Sequence, residues 1–304
     1  MQQKKPIRGI LVLLLISVIW GSTFTVQDMA AEHIGPFTFN FFRYLVGTVT
    51  LIPVAAIAQA VRRRNGTHEK VGKKTLVTAA IISGLALFAP AAFQQAGIAY
   101  TSSGKAGFIT AMYIVFVPLL GLFMKKKAGL AVWIAVAVSG VGLWLLCMTE
   151  RLTVGKGELL VLCSAVFWAV QILVIDTYAD KINCFVLACG ECFVCAVLSG
   201  VMMAIFETPV VMADVLRCTV PVLYSGVLSC GIAFALQPFG QKDASPAAAA
   251  IAMSLESVFA AVAGFFILGE RMTAREYIGC VLMFAAVILV QLPEFIAGKK
   301  ENMA

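Results

Sequence analysis

The sequence predicts an all-α integral membrane protein, with ten transmembrane helices in two inverted-topology five-helix repeats around a central cavity and both termini cytoplasmic. Three observations lead there. Of 304 residues, 61% are hydrophobic and only 13% charged, against roughly 25% charged in soluble domains; the mean hydropathy is +0.95. The apolar residues fall in runs of about 20, the length a helix needs to cross hydrocarbon and about twice that of a tilted barrel strand. Features of the first half recur in the second, and an odd number of spans separates them.

Taken in order, the runs place spans at 8–27, 35–60, 74–98, 102–124, 128–148, 156–178, 184–206, 217–240, 246–268 and 274–293. The first run ends in WGSTF without a small-x-small cleavage pattern, so it is expected to stay as the first span rather than be removed. Connections are short, except for the basic loop VRRRNGTHEKVGKK between the second and third spans. No soluble domain fits between them. Pro90, Pro118 and Pro238 fall inside spans, where each removes a helical hydrogen bond and favours a kink.

The net charge of +7 is explained by orientation rather than by nucleic acid. With the N-terminus inside, the cytoplasmic segments hold sixteen Lys and Arg, including Arg62, Arg63, Arg64, Lys125, Lys126 and Lys127. The opposite loops hold five: Arg151, Lys156, Arg217, Arg271 and Arg275. Such a bias sets topology.

The repeat appears as SVIWGSTF around Trp20 against SAVFWAVQ around Trp168, an offset of 148 that also sets Phe37 over Phe185 and Arg43 over Glu191. Later, SGLALFAPAAFQQAG matches SGVLSCGIAFALQPFG, with Gln95 over Gln237 at an offset of 142. Five spans per half makes the halves enter the membrane in opposite senses. Residues 1–150 and 151–304 are therefore expected as two halves of one integrated domain, with the solute site between them.

One carboxylate stands near the middle of the ninth span, Glu256 in SLESVFAA. A charge in hydrocarbon costs at least a few kcal/mol, so such a group usually faces a polar cavity. At about 1.5 Å per residue it lies roughly 16 Å in, close to mid-membrane. Tyr113, its near-equivalent in the fourth span, reaches a similar depth from the other side. Trp20 and Trp168 also fall near mid-depth, although Trp favours the interfaces. Trp20, Tyr113, Trp168 and Gln171 are the expected lining, with Gln95 and Gln237 as polar contacts. Helix packing is the competing account of each. Glu256 is the candidate proton or charge site, and Arg43 and Glu191 are further charge sites within spans. Arg43 serves either as a staple to a carboxylate or carbonyl or as an attractor of an anionic solute group.

Enzyme chemistry has no motif to stand on. GxSxG, HExxH and GxxxxGK[ST] are absent from the sequence, and its two His, His33 and His68, fall in loops. Six of the nine Cys (Cys163, Cys189, Cys192, Cys195, Cys230 and Cys280) lie in apolar runs without His partners and are expected as reduced packing residues. No cofactor and no metal are expected.

The segments WGSTF, FFRYLVG, YTSSGKAGFITAMYIVFVPLLG and above all DASPAAAAIAMSLESVFAAVAGFFILGERMT resemble the drug/metabolite transporter superfamily, specifically its ten-span EamA-type exporters. The likeness runs over about 6–293. It implies a basket of helices with the first, third, fourth, sixth, eighth and ninth spans around the cavity, and export of amino acids or related metabolites. Ser257 stands where the family has proline after the glutamate, so a straighter ninth helix is expected here. The expected protein is a secondary transporter in a bacterial cytoplasmic membrane. It would move a small organic solute outward by alternating access, with membrane lipid and a proton as partners and as a monomer or weak homodimer. A multidrug cation exporter and an uncoupled facilitative carrier are the alternatives.

Overall fold

A computed structural model describes residues 6–65, 72–101, 103–126, 128–147, 155–207, 209–268 and 273–301. His68, Lys127, Arg151 and Arg271, which entered the loop and charge arguments, lie outside the described residues. Every regular element among the described residues is helical. In chain order they are α1 (Pro6–Ala31), α2 (Pro36–Arg64), α3 (Lys73–Ile98), α4 (Ser103–Ala111), α5 (Tyr113–Phe123), α6 (Leu130–Cys147), α7 (Lys156–Tyr178) and α8 (Cys184–Phe206). There follow α9 (Met212–Arg217), α10 (Thr219–Tyr224), a π-helix (Ser225–Ala233), α11 (Phe234–Asp243), α12 (Pro246–Met253), α13 (Glu256–Leu268) and α14 (Ala274–Glu301).

Among the described residues, eight helical stretches are long and apolar enough to cross a membrane, and Leu130–Leu146 is a shorter apolar helix. Exposed side chains such as Val49, Ile57, Leu85, Val141, Val201 and Val281 cover the outside of the bundle. In water so much apolar surface would mark an interaction face; here it faces lipid. The largest buried cluster joins α1, α5, α6, α7, α12 and α14 through Leu13, Ile114, Leu143, Ile172, Met253 and Met283. A second gathers Tyr44, Leu51, Leu87, Cys192, Cys195 and Cys230 between α2, α3, α8 and the π-helix.

Small residues set how closely the helices approach. Gly142 of α6 and Gly279 of α14 lie back to back: a Cβ on Gly142 would stand 2.8 Å from the Gly279 carbonyl oxygen, and one on Gly279 would stand 2.6 Å from that of Gly142. Gly21 of α1 rests on α13, where a Cβ would come within 2.5 Å of the Glu256 carbonyl oxygen. No larger residue fits either contact, the usual basis of close helix association in lipid.

Three expected spans are not the continuous α-helices the sequence reading drew. The fourth tightens between α4 and α5, where Met112 N–H reaches the Ile109 carbonyl at 3.1 Å and Val115 N–H reaches Met112 at 3.0 Å. The ninth tightens between α12 and α13, where Leu255 N–H bonds Ala252 at 3.3 Å and Ser257 N–H bonds Ser254 at 3.2 Å. Such i→i+3 turns inside a helix are a recognised form of hinge. The straighter ninth helix expected from Ser257 is thereby corrected. The interruption needs no proline: Ser254 Oγ donates to the Ile251 carbonyl at 2.9 Å and Ser257 Oγ donates across to the Gly107 carbonyl at 3.3 Å. The eighth span widens instead into the nine-residue π-helix. Pro90, Pro118 and Pro238 sit within helices that continue past them, as does Pro53.

Candidate solute site

The site is built from helix faces that converge on one cavity. On α1, Trp20, Thr23, Phe24 and Gln27 line it together, because spacings of three, four and seven residues share one helix face. Across from them α7 presents Trp168, Gln171 and Ile172, and Phe234 and Gln237 of α11 stand between. Arg43 and Tyr44 of α2, Gln94 of α3, Thr110 of α4, Tyr113, Ser229, Met253 and Glu256 complete the wall. The resemblance implied six spans around the cavity; α2 is an additional contributor. The empty space is about 510 Å³, but it is narrow, with only about 40 Å³ open to the centres of water molecules. A water needs roughly 10–15 Å³ by that measure, so a few waters fit. A solute the size of an amino acid requires the wall to move.

The apolar part of the lining is an aromatic cluster. Phe234 completes a triangle with the two tryptophans, its ring centroid 5.2 Å from Trp20 and 6.3 Å from Trp168, and Tyr44 approaches its ring at 6.1 Å. Trp20 and Trp168 are 6.4 Å apart. Both indole Nε1 groups are buried without a hydrogen-bond acceptor. A buried unpaired donor costs on the order of 1–3 kcal/mol, and an acceptor arriving in the cavity would relieve that cost.

The polar part is arranged in pairs. Gln171 and Gln237 exchange amide hydrogen bonds at 3.1 and 3.0 Å. Gln94 Nε2 donates to Thr110 Oγ1 at 3.0 Å. Tyr113 Oη donates to Glu256 Oε1 at 3.2 Å. Arg43 Nη1 donates to Gln27 Oε1 at 3.0 Å and Nη2 to Tyr44 Oη at 3.4 Å, while the guanidinium lies over the Tyr44 and Phe39 rings at 4.8 and 5.2 Å. Among the described residues no carboxylate comes within ion-pair reach of Arg43, and its Nε has no partner. It is a staple to an amide oxygen, with a cationic charge left unneutralised at the cavity wall.

Seven of the nine residues singled out in the sequence therefore face one cavity: Trp20, Arg43, Tyr113, Trp168, Gln171, Gln237 and Glu256. Gln95 and Glu191 do not line it. Gln95 lies behind it, donating from Nε2 to the Gln27 carbonyl at 3.2 Å. Glu191 is fully buried in α8, and neither carboxyl oxygen has a hydrogen-bond partner. Sequence reasoning missed Gln27, Tyr44 and Phe234. Gln27 was within reach, being two helical turns beyond Trp20 on the same face. Among the described residues, no group of three or more His, Cys, Asp or Glu could hold a metal ion.

A cavity at the centre of an apolar helical bundle, lined by aromatic rings, amides, a guanidinium and a carboxyl group, suits a membrane transport protein. The model of the EamA-like transporter family matches residues 7–148 and again 155–292. The chain belongs to that family, within the drug/metabolite transporter superfamily. It is 30% identical over 286 residues to an "Uncharacterized transporter" of Archaeoglobus fulgidus, covering 92% of this chain and 84% of the relative. It is also similar to two Bacillus subtilis proteins. They are "Uncharacterized transporter YwfM" (26% identity, 92% of both chains) and "Uncharacterized transporter YoaV" (21% identity, 93% of this chain and 96% of the relative). One crystal structure superposes with a TM-score of 0.73 at 18% identity, over 94% of this chain and 96% of that one, and so shares the fold.

Proposed function

We propose that the chain is a secondary transporter that exports small zwitterionic solutes, aromatic amino acids first among them, across a bacterial cytoplasmic membrane by alternating access. The carrying observation is that Arg43, Glu256 and the cluster of Trp20, Phe234 and Trp168 line one cavity. Arg43, without a carboxylate partner among the described residues, suits a solute carboxylate. Glu256 suits an ammonium group or a proton, and the aromatic cluster suits a ring or hydrocarbon side chain. Gln171 and Gln237 satisfy each other in this state and would reopen to the solute, and Gln95 acts behind them by positioning Gln27.

Helix pairing supports two inverted halves, 1–150 and 151–304. If the spans are numbered one to ten, α1 packs on α13 as α7 packs on α4, and α1 packs on α11 as α7 packs on α3. α2 packs on the π-helix as α8 packs on α3. Self-equivalent contacts (α2 on α8, α5 on α12, α6 on α14) lie where a pseudo-twofold axis would pass. The bias of Lys and Arg supports cytoplasmic termini.

Proteoliposomes of the single chain, loaded with labelled phenylalanine, test the proposal; flux no faster than from empty-protein vesicles would refute it. A Glu256→Gln variant that keeps the wild-type rate and pH dependence would remove proton coupling and leave the facilitative carrier. The carboxylate beside aromatic rings also suits a hydrophobic cation, although Arg43 opposes it. Cellular resistance to such cations that is lost in Glu256→Gln would favour that second reading.

A further inference from the structure

A second cavity opens on the outside of the bundle at the basic end of α2. It is an open groove whose wall combines the last turns of α2, the turn into α8 and the end of α11. Val54, Ile57 and Val61 of α2 present exposed apolar side chains along it. The stripe leads to Arg62, about 12 Å from Val54 along the helix axis. Phe185 and Phe239, in edge contact at 5.1 Å, form part of the opposite wall. Lys242 lines the groove near the same end, and Arg62 and Lys242 both flank Cys184 there.

We propose that this groove is a binding site for a glycerophospholipid with an anionic headgroup, one acyl chain lying on Val54, Ile57 and Val61 and the phosphate held by Arg62 and Lys242. The occupant follows from placement and charge. Two cations line the groove, Arg63 and Arg64 follow on α2, and Lys181 stands in the adjacent turn, 5.8 Å from the Tyr178 ring. Asp180 pairs with Lys242 at 3.8 Å and is 65% exposed, so that pair is weak in water and readily exchanged for a phosphate. An apolar groove on the lipid-facing side is reached from the bilayer. Basic pockets between spans at a membrane surface select anionic headgroups, each nearby Lys or Arg strengthening the attraction. The site bridges α2 to α8 and α11.

The test uses the full chain purified in a neutral detergent, with dioleoyl-phosphatidylglycerol, dioleoyl-phosphatidylcholine and inorganic phosphate as probes. Native mass spectrometry and thermal shift should give apparent binding of phosphatidylglycerol at least threefold tighter than phosphatidylcholine, with phosphate alone giving no shift. The Arg62→Gln/Lys242→Gln double variant should lose that preference, and Arg62→Lys/Lys242→Arg should keep it. Ile57→Trp, which narrows the groove, should weaken phosphatidylglycerol binding with the cations intact. Equal binding of the two lipids by the wild-type chain overturns the proposal, and so does a preference that survives in the double Gln variant. A full shift from inorganic phosphate would overturn it too, because the site would then hold an anion rather than a lipid. None of these readouts depends on transport.

Discussion

Tyr113 Oη donates to Glu256 Oε1 at 3.2 Å, and each residue is the first of a helix that begins after an i→i+3 tightening, α5 after Met112 and α13 after Leu255. The bond ties two interrupted helices together at the cavity wall, where both side chains are buried. Tyr113→Phe is expected to lower stability by about 1–3 kcal/mol, the cost of leaving a buried acceptor unpaired. A double-mutant cycle with Glu256→Ala, which removes the acceptor, should return a coupling of roughly 0.5–3 kcal/mol in unfolding of the purified protein. Additive losses would mean that the pair is not formed.

Gly140 and Gly142 are two positions on one face-changing stretch of α6, and they should respond oppositely to the same substitution. A Cβ on Gly142 meets the Gly279 carbonyl oxygen and Met283 Cγ, both at 2.8 Å, whereas one on Gly140 meets nothing within 4 Å. Gly142→Ala is expected to cost about 1–3 kcal/mol by overpacking. Gly140→Ala should be neutral or slightly stabilising, since Ala is favoured over Gly in a helix by up to about 1 kcal/mol. Thermal unfolding of the two variants side by side checks this.

Glu207 closes the start of α2 from the end of α8. Its Oε1 accepts from Phe37 N–H at 2.8 Å, and its Oε2 accepts from Thr38 N–H and Thr38 Oγ1, both at 2.7 Å. A carboxylate at a helix N-terminus combines capping with a favourable dipole interaction. Glu207→Ala should therefore destabilise the protein by about 1–2 kcal/mol and accelerate hydrogen exchange at the Phe37 and Thr38 amides. Unchanged exchange there would contradict the cap.

Of the four tryptophans of the sequence, two face the cavity. Trp20 and Trp168 line the cavity, while Trp144 is exposed and stacks with Arg275 at 4.5 Å. With Trp133 and Trp144 replaced by Phe, a bound aromatic solute should change the emission of the remaining pair. The reciprocal variant, Trp20→Phe/Trp168→Phe, should give no response.

The all-helical membrane class and seven of the seventeen residues on the cavity wall were legible in the sequence, because apolar runs of span length and mid-span Trp, Arg and Glu are strong signals against an apolar background. Three kinds of feature were not. The tightened turns before Tyr113 and Glu256 arise from backbone bonds shifted by one residue, which leave no mark in hydropathy. The π-helix of Ser225–Ala233 shares the composition of its α-helical neighbours. Gln95 and Glu191 were singled out by polarity and by their repeat positions, neither of which gives the helix face: the first supports Gln27 from behind, and the second is buried but does not line the cavity. Ser257 misled because proline is one way to interrupt a helix, whereas here Ser254 and the backbone supply the interruption.

The most direct test of the account is counterflow. Proteoliposomes containing only this chain are loaded with unlabelled phenylalanine and diluted into a trace of labelled phenylalanine, with wild type beside Arg43→Gln. The account predicts transient accumulation of label by the wild type, reduced at least tenfold in Arg43→Gln at equal protein content. Accumulation of equal size in both, or none by the wild type above protein-free vesicles, would contradict a cavity that carries zwitterionic solutes by gripping their carboxylate.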